Sequence, residues 1–409
     1  MFHFKKSHSI FILLLSMSLL FSCQSRQVIQ DSVSFDRSVR LLVKNLIEQL
    51  ENRRLLTDIL EGAVTVTFAF NPFVEVGNGQ VTRQSLAIEE VFFQEIHSYS
   101  DRFKVTRLTQ ESLQNADYII NGIIQYEARS ETQAKKYHHI STVVIDLKEN
   151  VIAARNEVWI DATNLDYTPT PSYQDNPLYL TKNRMLQLLI DTVKSPVDTP
   201  IGKDYTASVK TRSLLVEAQT AYDKGDYDQA HHLFSTVTQQ INTMEAFGGL
   251  YATNFKLGRF AEAEEIFAKI VALGAEAGNL PIKLMFESDL TEFLRVPQLR
   301  QQYDLWIRQL AFYLRDHSQQ CINIIGHTSR TGLYDYNMVL SEQRAEVIQQ
   351  KMSQIVPDIF QRTQVVGRGS DETIVGSVPD NAQNAIDRRV EFKIFDCSQL
   401  VGFQTPEHF

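Results

Sequence analysis

Gly326-His327-Thr328-Ser329-Arg330-Thr331-Gly332 ends the apolar run Ile322-Asn323-Ile324-Ile325 and opens onto Leu333-Tyr334-Asp335-Tyr336-Asn337. A short apolar run bounded by a glycine reads as a buried strand, and the polar segment between two glycines reads as a turn. From Tyr334 to Ile355 the pattern is that of one long amphipathic helix carrying Leu340-Ser341 and Arg344-Ala345. Small polar groups at the strand end and an arginine one turn further along the helix can therefore converge on one pocket. Near the C-terminus, Asp387-Arg388-Arg389-Val390-Glu391 opens a last strand, Arg389 to Phe395.

Together these spaced elements resemble the OmpA-like domain, which grips the peptide stem of peptidoglycan. The resemblance covers about 278–396. It implies a βαβαβ sandwich: a strand at Ile282–Phe286, a helix at Gln302–Arg315, a strand at Cys321–Ile325, the long helix, a strand at Thr363–Val366 and the closing strand. It also implies roles for single residues. Arg344 falls at the position that binds a stem-peptide carboxylate, where a planar guanidinium can hold both oxygens at once. Thr328 and Ser329 fall at the strand end, and Asn337 at the asparagine that braces the turn. Family members carry aspartate where this chain has Ser329. A hydroxyl can accept a hydrogen bond from an ammonium group but adds no charge, so binding is expected to be weaker by about 1–2 kcal/mol, roughly tenfold. His327 has no nucleophile or carboxylate at a readable spacing and reads as a turn residue. Arg388 and Arg389 read as partners in structural ion pairs.

The N-terminus gives the chain an address. Lys5 and Lys6 precede an apolar stretch, Ile10 to Phe21, shorter than the roughly 20 residues a membrane-spanning helix needs. This is the layout of a secretory signal. Leu20-Phe21-Ser22-Cys23 then resembles a bacterial lipobox, which implies that Cys23 is lipidated; an ordinary cleaved signal followed by cysteine is the alternative. Gln24, rather than aspartate, implies the outer membrane. The chain has only two other cysteines, Cys321 and Cys397. If the strands they flank lie side by side and antiparallel, the start of one meets the end of the other and a disulfide can form; two buried thiols are the alternative.

With 409 residues the chain is long enough for several domains, and 43% hydrophobic content supports packed cores. A net charge of −9 argues against a nucleic-acid binder. The organisation we read is a signal with lipobox (1–23), a polar tether (24–37), a mixed α/β domain (38–195), a linker (196–210), two helical repeats (211–277) and the C-terminal domain (278–409). The fold class is thus α+β, multidomain.

In the front domain, Ser38–Leu56 and Ser85–Tyr99 have helical spacing. Ala63–Phe70, Phe103–Leu108, Tyr118–Tyr126, Ser141–Asp146 and Asn156–Asp161 read as strands, and Tyr179–Val193 as a further helix. The succession resembles the periplasmic FlgO/CsgG-like domain, whose members mostly bind partner proteins. Next, Gly225, Tyr227, Ala230 and Phe234 recur as Gly258, Phe260, Ala263 and Phe267. This spacing resembles the tetratricopeptide repeat. Two repeats are too few to stand alone, so they are expected to lean on neighbouring elements and to act as a spacer; a peptide-binding groove is the alternative.

No His-Glu-x-x-His helix, phosphate-binding glycine loop or Gly-x-Ser-x-Gly elbow occurs. The adjacent pairs His138-His139 and His231-His232 put neighbours on opposite sides of their elements and make poor metal sites. We therefore expect no enzyme and no cofactor. The expected function is a lipid-anchored outer-membrane protein that binds peptidoglycan noncovalently. The alternative is an assembly or regulatory factor that recruits an envelope protein through 38–165.

Overall fold

The computed structural model describes residues 35–53, 65–129, 135–161, 165–179, 183–374 and 382–399. The signal, Cys23 and residues 24–34 of the tether lie outside them, whereas residues 35–37, expected to be tether, already form the start of the first helix. Helix α1 (Phe35–Asn52) presents Val39, Leu42, Val43, Leu46, Ile47 and Leu50 on one buried face. They pack with the inner faces of β1 (Val66–Phe70) and β3 (Phe103–Arg107) and with helix α2 (Arg83–Tyr99). Thr82 caps α2 through a reciprocal pair of bonds with Ser85.

The first sheet has the order β3-β1-β4-β5-β6, with the short β2 (Val74–Glu75) paired to β4. β4 (Tyr118–Ala128), β5 (Lys136–Asp146) and β6 (Val151–Ile160) form an antiparallel meander, while β3, β1 and β4 run parallel. Two strands begin five residues earlier than the sequence suggests. The start of β5, Lys136-Tyr137-His138-His139, is polar or aromatic and is strand through its pairing with β4, whereas β6 opens on Val151-Ile152, an apolar start that the sequence reading passed over. A short helix α3 (Gln110–Asn115) joins β3 to β4.

Residues 177–179 form no helix, although Tyr179 is expected to start one. They are extended and pair with the C-terminal sheet: Lys283 N–H donates to the Pro177 carbonyl (2.8 Å) and Tyr179 N–H to the Pro281 carbonyl (3.0 Å). Just before them lies one helical turn, α4 (Pro171–Gln174). Helix α5 starts only at Arg184 and runs to Lys194, capped by Asn183. Helix α6 (Lys203–Asp223) begins within the stretch read as linker, so residues 203–210 are helical.

The repeat segment is two helix pairs, α6 with α7 (Tyr227–Gln240) and α8 (Met244–Lys256) with α9 (Phe260–Glu276). Gly225 and Gly258 occupy the turns with φ of +80° and +72°, a left-handed backbone that glycine adopts without penalty. Ala230, Phe234, Ala263 and Phe267 are all buried.

The C-terminal sheet has the order β7-β10-β8-β9: β7 (Leu280–Met285), β10 (Arg389–Asp396), β8 (Gln320–Gly326) and β9 (Thr363–Gly367). Helices α10 (Pro297–Asp316) and α11 (Tyr334–Ile355) cover one face. Sheet, covering helices and repeat helices share one apolar core. Trp306 of α10 stacks on Phe267 of α9 and donates to the Tyr251 hydroxyl of α8 at 2.8 Å. The repeats thus bury their open end on α10 instead of carrying a polar cap.

β8 and β10 are antiparallel, with Cys321 opposite Phe395, and the Cys321–Cys397 disulfide closes their ends with a Cα–Cα distance of 5.0 Å. This is the bridge that the sequence reading favoured. All described residues belong to one compact unit, 33–409, and no helix among them is long and apolar enough to cross a membrane.

Candidate functional site

The site is built where β8 runs out beneath α11. Gly326 ends the strand so close to the helix that a Cβ there would stand 1.8 Å from the Ser341 carbonyl oxygen. Only glycine permits that approach. The Ser341 hydroxyl donates to the Met338 carbonyl (2.7 Å) and accepts from Gly369 N–H (2.9 Å), which pins the loop after β9. Past Gly326 the ladder continues, with His327 N–H donating to the Arg389 carbonyl (2.9 Å) and Thr328 N–H to the Gly369 carbonyl (2.7 Å). Asn337 braces the turn as expected, donating to the carbonyls of Thr331 (3.1 Å) and Ser329 (3.4 Å).

Thr328, Ser329, Asn337 and Arg344 are thus brought to one strand end, and all four side chains are buried. The Thr328 hydroxyl has no hydrogen-bond partner among the described residues. Arg344 corrects one expectation, that of a guanidinium facing an open hollow. It is 0% exposed and already occupied by backbone carbonyls: Nε donates to Leu290 (3.0 Å), Nη2 to Glu287 (2.9 Å) and Nη1 to His327 (3.1 Å). It also lies 5.4 Å from the Phe286 ring centroid. The turn that supplies two of these carbonyls, 287–290, went unread in the sequence because a carbonyl acceptor leaves no mark on residue type.

His327 points to the other face of the sheet. Its Nε2 lies 3.6 Å from a Glu391 oxygen, and neither ring nitrogen makes a hydrogen bond among the described residues. Burial, reinforced by the Arg389 charge, pushes its pKa down to about 4, so the ring is neutral at physiological pH. No nucleophile is hydrogen-bonded to it, and no general-base role follows from this arrangement.

Arg389 pairs with Glu391 and donates to the Glu372 carbonyl, while its guanidinium faces the Tyr179 ring at 5.4 Å. Arg388 donates to the Phe286 carbonyl (3.2 Å). Both arginines bind protein groups. Asp387, the first residue of the closing motif, accepts from Ile374 N–H (2.6 Å) and Asn384 (3.2 Å) and fixes the loop leading into β10. Among the described residues no cluster of three or more His, Cys, Asp or Glu side chains could hold a metal ion.

This geometry defines a domain class: the C-terminal segment is OmpA-like, and residues 296–387 match the OmpA family. Among solved structures, the segment is similar to the peptidoglycan-associated lipoprotein of Burkholderia pseudomallei, at 24% identity over 27% of this chain and 86% of that one (TM-score 0.23). It is also similar to an outer membrane protein of Borrelia burgdorferi, at 26% identity over 28% and 84% (TM-score 0.21). The periplasmic domain of Helicobacter pylori MotB is a third, at 21% identity over 29% and 74% (TM-score 0.23). No curated protein matches the chain.

Proposed function

We propose that this protein is an envelope strut: Cys23 anchors it by lipid to the outer membrane, and the OmpA-like domain grips the peptide stem of peptidoglycan noncovalently. The observation that carries the reading is the assembly of Thr328, Ser329, Asn337 and Arg344 at the end of β8, inside the segment that matches the OmpA family. Arg344 would take the stem carboxylate, and Ser329 with Thr328 would accept from the neighbouring ammonium. Burying acyl chains contributes about 0.8 kcal/mol per methylene, so a multiply acylated Cys23 would hold the chain on a membrane durably. The tetratricopeptide-like helices, sharing a core with the C-terminal sheet, would act as a stiff spacer.

One feature favours a second reading, in which the FlgO/CsgG-like front domain recruits an envelope protein. A cleft of about 700 Å³ opens between β3 and helices α6 and α7, lined by Lys104, Thr106, Glu217, Lys224 and Gln229. That is ample room for a side-chain cluster of a partner.

The strut reading is tested by co-sedimentation with purified cell-wall sacculi. The full mature chain should be retained, and Ser329→Asp should be retained about tenfold more tightly because it restores a charged acceptor. No retention of either protein would end the reading. Point substitution is preferable to truncation, because deleting the C-terminal domain would strip the repeats of their core.

A further inference from the structure

The cation on which the proposed grip depends is satisfied from within. Nε and Nη2 of Arg344 form the edge of the guanidinium that presents two parallel N–H groups, the edge a carboxylate takes bidentately. Here that edge is filled by two carbonyl oxygens of one turn, Leu290 at 3.0 Å and Glu287 at 2.9 Å. They stand where the two oxygens of a carboxylate would stand. The third contact, Nη1 to the His327 carbonyl, comes from the strand end and would hold the side chain in place if the turn left.

The turn is placed to leave. Its flanks are anchored: Phe286 is fully buried, faces Phe293 at 5.1 Å, and Phe293 in turn faces Tyr303 at 4.7 Å. Between those anchors, Ser288, Asp289 and Leu290 are exposed, and Leu290 keeps 45% of its surface in solvent. The turn's own closing bond, Leu290 N–H to the Glu287 carbonyl, is long at 3.4 Å, while Glu287 is the hinge end, its N–H donating to the Glu292 carbonyl (3.0 Å) and its carboxylate accepting from Arg295 N–H (2.8 Å). Asp289 sits at φ +56°, a left-handed backbone that is uncommon outside glycine. A carboxylate brings a full negative charge to the guanidinium where a carbonyl brings only a dipole, and it can take both N–H groups at once, so an entering carboxylate can outcompete the turn.

We infer that the turn Glu287–Leu290 is an intramolecular strap that occupies the Arg344 edge in the free protein and lifts when an acidic group of the wall peptide enters. The inference rests on the peptidoglycan reading of the same site. The strap lowers apparent affinity by the fraction of time it is closed, and it keeps a buried cation satisfied until the ligand arrives.

Asp289→Pro tests this in the full mature chain, because proline fixes φ near −65° and cannot hold the turn. Asp289→Gly, which keeps the left-handed conformation, is the control. With purified sacculi, Asp289→Pro should bind about fivefold or more tighter than wild type and Asp289→Gly should match wild type. If wild type binds and Asp289→Pro binds no better, the strap is refuted while the wall-binding reading stands. If none of the three is retained, that reading falls and the strap with it.

A second measurement uses wild type alone and does not depend on the proline variant folding. Saturation with muramidase-released muropeptides should speed hydrogen exchange at the amides of 288–292. Unchanged or slowed exchange there, with binding established, refutes the strap.

Discussion

Reducing the Cys321–Cys397 bridge should destabilise the C-terminal half by an amount its position in the chain predicts. The bridge joins residues 76 positions apart. In the chain-entropy model a loop of that length removes about 15 cal/mol/K from the unfolded ensemble, or about 4.5 kcal/mol near room temperature. Since such bridges often deliver less than the model value, we expect a loss of about 3–4 kcal/mol on reduction or in a Cys321→Ser, Cys397→Ser double variant. Trp306 is the natural reporter, fully buried where α10 meets the repeats. In a Trp159→Phe background its fluorescence should report one urea transition that moves to lower urea on reduction. Because repeats and sheet share a core, helicity of the repeats should be lost in the same transition. If oxidised and reduced proteins agree within about 1 kcal/mol, the loop-entropy account fails. If the repeats melt separately from Trp306, the shared core is not cooperative.

Three further outcomes follow from single residues. Gly326→Ala would place a methyl 1.8 Å from the Ser341 carbonyl; forcing β8 and α11 apart should cost about 3 kcal/mol or more, seen as a lowered urea midpoint. His327, depressed to about 4 from an ordinary value near 6.5, contributes stability that is present above pH 6.5 and lost as pH falls toward 4. That loss should reach about 3 kcal/mol in wild type and be absent in His327→Gln, compared by urea unfolding at pH 7 and pH 4. Glu75 behaves oppositely. Burial raises its carboxyl to about 8, and its Oε1 finds no hydrogen bond among the described residues. Stability from its protonated form is full below pH 4.5 and lost as pH rises through 8, so Glu75→Gln should gain about 3 kcal/mol on wild type between pH 5 and pH 8.

The sequence carried the local features of this fold well and the long-range ones poorly. Helix α11 begins at Tyr334 and ends at Ile355 as its periodicity indicates, with Leu340, Ala345, Ile348 and Met352 recurring at helical spacing on its buried face. The disulfide was legible because both cysteines flank strands whose antiparallel pairing puts their ends together. Tyr179 was misread as the start of a helix. Its extended conformation comes from pairing with β7, about a hundred residues downstream, and no local pattern reports a partner so far away. Residues 203–210 were read as linker because the prolines just before them break any helix, yet α6 starts immediately after Gly202. At the site, residue types and spacing indicated that the turn after β8 and the Arg344 side chain lie at one strand end. They did not reveal that Arg344 is enclosed, because its acceptors are main-chain oxygens of a turn whose side chains face water.

The most direct test of the central claim is calorimetric titration of soluble muropeptide into wild type and Arg344→Lys. Lysine keeps the charge but lacks the planar fork. With both proteins folded by circular dichroism, wild type should bind and Arg344→Lys should bind at least about tenfold more weakly. Equal affinity in the two proteins, or no heat of binding in wild type, would contradict the account.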